Sequence, residues 1–240
     1  IRSFLPASLI LSSITGGIAA VSLLFTLYGL PRPRFLGYGY GAALTFGLPI
    51  MLASLLGYTL GWFDRLIINH FAGPVAVAMY VAAFAIARQP VELLIGPLNN
   101  YIFPILTRTY NDGRLRDVAL MQRETLTSII AISVAVVAGL TLLAEPMATL
   151  FFPASYHANV VKLIPLVAAG TLLLTVKNFV FDNSFHLTRQ TWLLLATMVP
   201  AAVISISAGI VLIRLYGDLG AGLAFLGSTL LALVVSATVS

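Results

Sequence analysis

The chain has 240 residues, of which 60% are hydrophobic and only 9% charged, with a mean hydropathy of +1.01 and a net charge of +5. Soluble domains carry about 25% charged residues, so this composition excludes a water-soluble core and implies an all-α polytopic membrane bundle. There is no cysteine, which excludes disulfides and thiolate metal sites.

About 20 apolar residues cross a bilayer as a helix, and seven stretches qualify. The first, Phe4 to Leu30, is uncharged, with Gly16-Gly17 near its middle as a point of close approach or bending. Pro31-Arg32-Pro33-Arg34 ends it, because proline removes a donor and restricts the preceding residue. The second runs from about Gly41 to Asn69 with a kink expected at Pro49, and Phe71-Ala72-Gly73-Pro74 reads as a tight turn. The third, about Val75 to Pro104, is expected to be interrupted at Gln89-Pro90 and Gly96-Pro97. Thr107 to Arg123 is the most polar stretch, with a turn signal at Asn111-Asp112-Gly113, and reads as a short interfacial helix or loop.

The fourth helix is expected over about Glu124 to Ala144, with a loop or short surface helix from Glu145 to Asn159. The fifth runs from about Val160 to Phe185. After a turn at His186 to Gln190 comes the sixth, Thr191 to Leu215, and after Tyr216-Gly217-Asp218 the seventh, Leu219 to Ser240. The ends of the sequence, Ile1 and an apolar run at Ser240, read as those of a piece of a longer protein, and the first apolar stretch lacks the basic flank of a signal peptide. Arg32, Arg34, Arg108, Arg114, Arg116, Arg123 and Arg189 fall in loops on one side; Arg2, Lys162, Arg214 and the interfacial Arg65 fall on the other. The positive-inside rule makes the first side cytoplasmic.

Charges inside spans cost roughly 2.5–3.5 kcal/mol each on insertion scales, so they mark pairs, water or a ligand. Asp64 and Arg65 are adjacent and diverge by about 100° on a helix, with Asn69 on the face of Arg65. Arg88 and Glu92, four apart, are placed to pair, with Asn99 near the same face. Lys177 and Asp182 are five apart, which an α-helix aligns poorly, so each is expected to seek partners elsewhere; Asn178 lies beside them. The plain reading of all these is structural pairing and snorkelling. The sharper one is that Arg65, Arg88 and Lys177 line a central cavity as a cationic substrate site. Glu92, Asp182 and Asp64 would then set their charge or couple the cycle, and Asn69, Asn99 and Asn178 would supply polar lining. His70, His157 and His186 lack metal-ligand spacing, and Tyr38, Tyr40, Trp62, Tyr101, Tyr110, Tyr156 and Trp192 read as interfacial belts. No catalytic motif, cofactor loop or metal site is expected.

The run DRLIINHFAGPVAVAMYVAAFAIARQP, followed by LNNYIFPILTRTYNDG, resembles oligosaccharide-lipid flippases of the multidrug/oligosaccharidyl-lipid/polysaccharide exporter superfamily. The shared features are a helix ending in Asp-Arg and an apolar run, a turn from Gly73 to Tyr80, and Phe103, Pro104, Thr107 and Arg108 as a Phe-Pro-x-x-(Ser/Thr)-Arg signature. MATLFFPASYHANVVKLIPLVAAGTLLLTVKNFVFDNSFHLTRQTW is similar to the family's next element, so the likeness covers about Gly41 to Thr191.

The resemblance implies two six-helix lobes around a V-shaped cavity. Residues 1–30 would be the last helix of a mostly missing first lobe, 31–40 a cytoplasmic linker and 41–240 the second lobe; alone, such a piece is not expected to transport. It also implies a flippase of the cytoplasmic membrane, carrying undecaprenyl-diphosphate-linked oligosaccharide for O-antigen, capsule or exopolysaccharide synthesis. Its partners would be that lipid-linked oligosaccharide, membrane lipids and polymerase-type assembly proteins, without nucleic acid. Alternatives on the same fold are a lipid II flippase and a cation-coupled drug exporter, the latter disfavoured by three deep cations. A membrane glycosyltransferase or acyltransferase fits less well, because the longest polar loop offers Asp112 and Asp117 but no histidine. A non-transporting scaffold is the remaining alternative.

Overall fold

The computed structural model describes residues 40–239, together with 13, 16–18, 20–22 and 28. Two units are present, Ile1–Gly41 and Ala42–Ser240. In the first, the described positions are helical. Most of the expected first span, its linker with Arg32 and Arg34, and Arg2 and Tyr38 lie outside the described residues. The second unit, whose first helix begins at Tyr40, is an all-α bundle: α1 (Tyr40–Asn111), α2 (Leu115–Phe151), α3 (His157–Val176), α4 (Asn183–Leu187), α5 (Trp192–Tyr216) and α6 (Asp218–Val239), with no strand among the described residues. Among the described residues, five helical stretches are long and apolar enough to cross a membrane: Leu44–Asn111, Leu115–Phe151, Ala154–Leu187, Trp192–Tyr216 and Asp218–Val239.

The first stretch accounts for two of the expected spans. α1 has one non-helical residue, Gly73, at φ 82° and ψ 175°. Only glycine adopts that conformation without strain, and Pro74 after it presets the φ of a new helical turn. Asp64 meets Tyr80 across the break. A straight helix would hold them about 24 Å apart, so the chain reverses at Gly73 into an antiparallel pair, arm 40–72 and arm 74–111. Ile67 and Ile68 from one arm and Tyr80, Ala83 and Ala87 from the other share one buried cluster with Ala144, Leu163 and Ile213.

Four boundaries differ from expectation. Pro90 and Pro97 do not interrupt the third span: arm 74–111 is helical through both and through Pro104, as arm 40–72 is through Pro49. Each proline forfeits one hydrogen bond, but opening the turn would leave more backbone groups unpaired in an apolar medium. The basic stretch Thr107 to Arg123 is not a separate interfacial helix. Both helices continue into it, and the reversal is confined to Asp112-Gly113-Arg114. The Arg114 amide bonds the Thr109 carbonyl at 3.2 Å and the Gly113 amide bonds Tyr110 at 3.0 Å, a Schellman cap made possible by Gly113 at φ 75°. Arg114 also holds Asp112 and Asp117 at 3.4 and 3.7 Å.

The expected loop from Glu145 is helical to Phe151, and the break falls at Phe152-Pro153, before a short 3₁₀ turn at Ala154–Tyr156. There His157 Nε2 lies 2.8 Å from the Phe152 carbonyl, a capping role rather than metal ligation. The fourth difference is inside the fifth span. Between α3 and α4, Lys177–Asp182 forms a turn of π-helix.

That π-turn corrects the expectation that Lys177 and Asp182 are misaligned. Residues five apart are roughly 140° apart on an α-helix but stack when hydrogen bonds run i to i+5. Lys177 Nζ therefore donates to both Asp182 oxygens, at 2.9 and 2.7 Å. The extra residue also shifts the register of everything after it. Asn183 turns toward arm 74–111, where its amide donates to Asn99 at 2.7 Å. Leu187 joins Leu106 and Val118 in a small core beneath the basic turn.

α5 and α6 form a hairpin through Gly217, at φ 63°. They pack so closely that a Cβ on Gly220 would overlap the Leu212 carbonyl oxygen. α5 also anchors arm 40–72. Thr191 donates to the Phe46 carbonyl at 3.0 Å, and Leu193 and Leu194 pack on Ala53.

Candidate functional site

The reversal at Gly73 places three apolar-sequence charges at one opening. A cavity of about 600 Å³, half open to the outside, is lined by Asp64 and Arg65 from arm 40–72, Arg88 from arm 74–111, Asn178 from the π-turn, Ser205 from α5 and Ser228 from α6. Helices of such a bundle present polar groups to a cavity because lipid-facing polar groups are costly.

Within it Arg65 lies with its guanidinium carbon 4.8 Å from the Trp62 ring centroid, a cation–π stack that fixes its direction. Arg88 Nε donates to Glu92 at 2.7 Å, the expected i to i+4 pair, and its guanidinium carbon lies 5.8 Å from Phe84. The pair is solvent-open, with side-chain exposures of 39% and 50%, so it contributes little stability and holds Arg88 in one pose. Only Nε is engaged among the described residues, leaving both terminal amines for another acceptor. The Tyr80 hydroxyl donates to Asp64 at 3.5 Å, a long contact.

The other expected site residues are dispersed. Lys177 is 1% exposed, held by Asp182 rather than presented to the cavity, and its neighbour Asn178 takes the lining position. Glu92 touches the cavity only through Arg88. Asn99 is occupied by Asn183, and Asn69 is exposed outside the lining. Among the described residues no group of three or more His, Asp or Glu could hold a metal ion.

Reading the sequence missed Tyr58, Tyr80, Gly57, Gly61, Ser205 and Ser228, all in the lining. For the first arm a signal was present. Tyr58, Trp62 and Arg65 fall at i, i+4 and i+7, one helical face. For Tyr80 and the serines none was, since their place depends on how the helices pack.

No curated protein and no solved structure matches the chain. A family model described as "Polysaccharide biosynthesis protein" matches residues 4–161, which include both arms of the hairpin and with them Asp64, Arg65 and Arg88. This agrees with the resemblance to polysaccharide exporters seen in the Asp64 to Arg108 motifs. With residues 4–161 of 240 matched and five apolar helical stretches, this is a membrane protein of the polysaccharide biosynthesis protein family.

Proposed function

We propose that the protein is a transporter, not an enzyme, and that it flips an undecaprenyl-diphosphate-linked oligosaccharide across the cytoplasmic membrane. The observation that carries this reading is the convergence of Arg65 and Arg88 on one half-open cavity in an otherwise apolar bundle. A diphosphate headgroup leaving the interface must replace its water with fixed donors. Guanidinium groups do this well, because their planar fork binds two oxyanions at once and stays charged.

Glu92 holds Arg88 through Nε without burying it, so both terminal amines of the guanidinium stay open to a diphosphate. Rocking of the lobe that contains this cavity against a second lobe would open it to each side in turn. The drug-exporter alternative requires acidic lining to dominate. Here one carboxylate, Asp64, faces two guanidinium groups, and the family is one of polysaccharide synthesis. Lipid-linked oligosaccharide, surrounding lipids and polymer-assembly proteins are the partners this reading implies.

Arg88→Ala in the full-length protein in its native host is expected to reduce polymer at least tenfold while membrane insertion is unchanged, with Arg88→Lys intermediate because one ammonium replaces a two-pronged contact. Immunoblotting of membranes and quantified surface polymer check it. Normal polymer in Arg88→Ala would sink the cationic-cavity reading.

A further inference from the structure

Beside the two arginines the cavity has a second kind of surface. Tyr58 and Trp62 line it while remaining 74% and 62% exposed. They are four residues apart on one helix, so their rings are offset by about 6 Å along its axis, close to the width of a sugar ring. Gly57 and Gly61, beside them in the lining, carry no side chain to crowd the rings. A Cβ at Gly61 would meet nothing within 4 Å. Arg65 lies over the Trp62 indole at 4.8 Å, which steadies a ring that stays 62% exposed.

Tyr58 stands fifteen residues before the hinge at Gly73 and Arg88 fifteen after it (73 − 58 = 88 − 73), so in the antiparallel pair they share a level. An aromatic ledge therefore runs alongside the cationic groups. Asn178, Ser205 and Ser228 in the same lining are the hydroxyl and amide groups that polyhydroxylated ligands need. Belt tyrosines and tryptophans face lipid and headgroups, whereas these two share a lining with Asp64 and Arg65.

We propose that Tyr58 and Trp62 form the sugar subsite of this cavity. They stack a pyranose ring of the substrate, using the polarised C–H face of the ring against the aromatic π-face, while Arg65 and Arg88 hold the diphosphate. This inference rests on the anionic-lipid reading and adds to it where the sugar lies and which residues sense it. Trp62 is then a specificity residue, and its substitution changes preference among lipids rather than binding of the headgroup.

The test uses the full-length protein in nanodiscs with Trp192, the second of the two tryptophans in the 240 residues, and any tryptophan outside them replaced by phenylalanine, so that emission reports Trp62 alone. The probes are undecaprenyl diphosphate and undecaprenyl diphosphate carrying N-acetylglucosamine. The sugar-bearing lipid is expected to bind about fivefold tighter and to shift Trp62 emission further than the bare lipid, which reaches the ring only through Arg65. Trp62→Ala is expected to abolish the fivefold ratio, and Trp62→Phe to keep part of it. Reading the ratio cancels any effect of a displaced Arg65 on the headgroup. Equal affinities with equal emission changes overturn the sugar subsite and leave the arginine reading standing. Failure of both lipids to bind overturns the two together.

Discussion

Replacing Asp182 by leucine is expected to destabilise the protein by about 3–5 kcal/mol, the usual cost of leaving one partner of a buried ion pair without the other. Lys177 is 1% exposed and both its short contacts go to Asp182, at 2.9 and 2.7 Å. Without the carboxylate the Lys177 amine is left buried with neither of its two hydrogen-bond acceptors. The double variant Lys177→Met, Asp182→Leu removes both charges at similar volume and is expected to recover most of the loss, because well-packed apolar replacements of buried pairs are often neutral. Heat-challenge retention in detergent, measured on both variants, checks it. A stable Asp182→Leu protein would show that the pair is hydrated and that the π-turn rests on something else. The pair matters for the site as well as for stability, since the same π-turn sets the register that aims Asn178 at the cavity and Asn183 at Asn99.

Gly220→Ala is expected to prevent correct closure of the α5–α6 hairpin. The added methyl would overlap the Leu212 carbonyl oxygen and its carbon, both backbone atoms that cannot rotate away. Overpacking against side chains typically costs about 1–3 kcal/mol, and a backbone clash exceeds that because the two helices must separate. Association of helices in a membrane depends on such close approach of small residues, so separation removes the packing along α6. Gly227→Ala is the control, since a Cβ there meets nothing within 4 Å. The expected result is loss of the monodisperse peak in size-exclusion chromatography for Gly220→Ala and an unchanged profile for Gly227→Ala.

The spans were legible because apolar runs of bilayer length have few other uses, and the reversal at Gly73-Pro74 because those two residues suit a hinge and a helix start. Arg88 with Glu92 was legible because their spacing is local and needs no tertiary knowledge. Lys177 with Asp182 was not. The inference assumed α-helical periodicity, and nothing in KNFVFD announces a π-turn. Helix ends were misplaced where polar residues continue a helix beyond the apolar run, as at Asn111 and Leu115, because hydropathy marks the bilayer and not the helix. Pro90 and Pro97 were read by their behaviour in water, where a freed carbonyl finds a solvent partner. The composition of the cavity was half visible, since Arg65 and Arg88 stand out in apolar sequence. Tyr80, Ser205 and Ser228 come from three different helices, and only their packing brings them to it.

The central claim is that a water-accessible, cationic cavity within the bundle receives an anionic lipid. Ser205 lines it near the middle of α5 and the 240 residues contain no cysteine, so Ser205→Cys, with any cysteine elsewhere in the full-length protein replaced by serine, offers a single reporter. The most direct measurement is the labelling rate of that cysteine in the full-length protein, in its native membrane, by a membrane-impermeant anionic thiosulfonate and by its cationic analogue. The expected result is labelling by both, faster for the anionic reagent because Arg65 and Arg88 raise its local concentration. Added undecaprenyl-diphosphate-linked sugar is expected to slow it, and Arg65→Gln with Arg88→Gln to reverse the preference. No labelling, or labelling that the lipid leaves unchanged, would contradict the account.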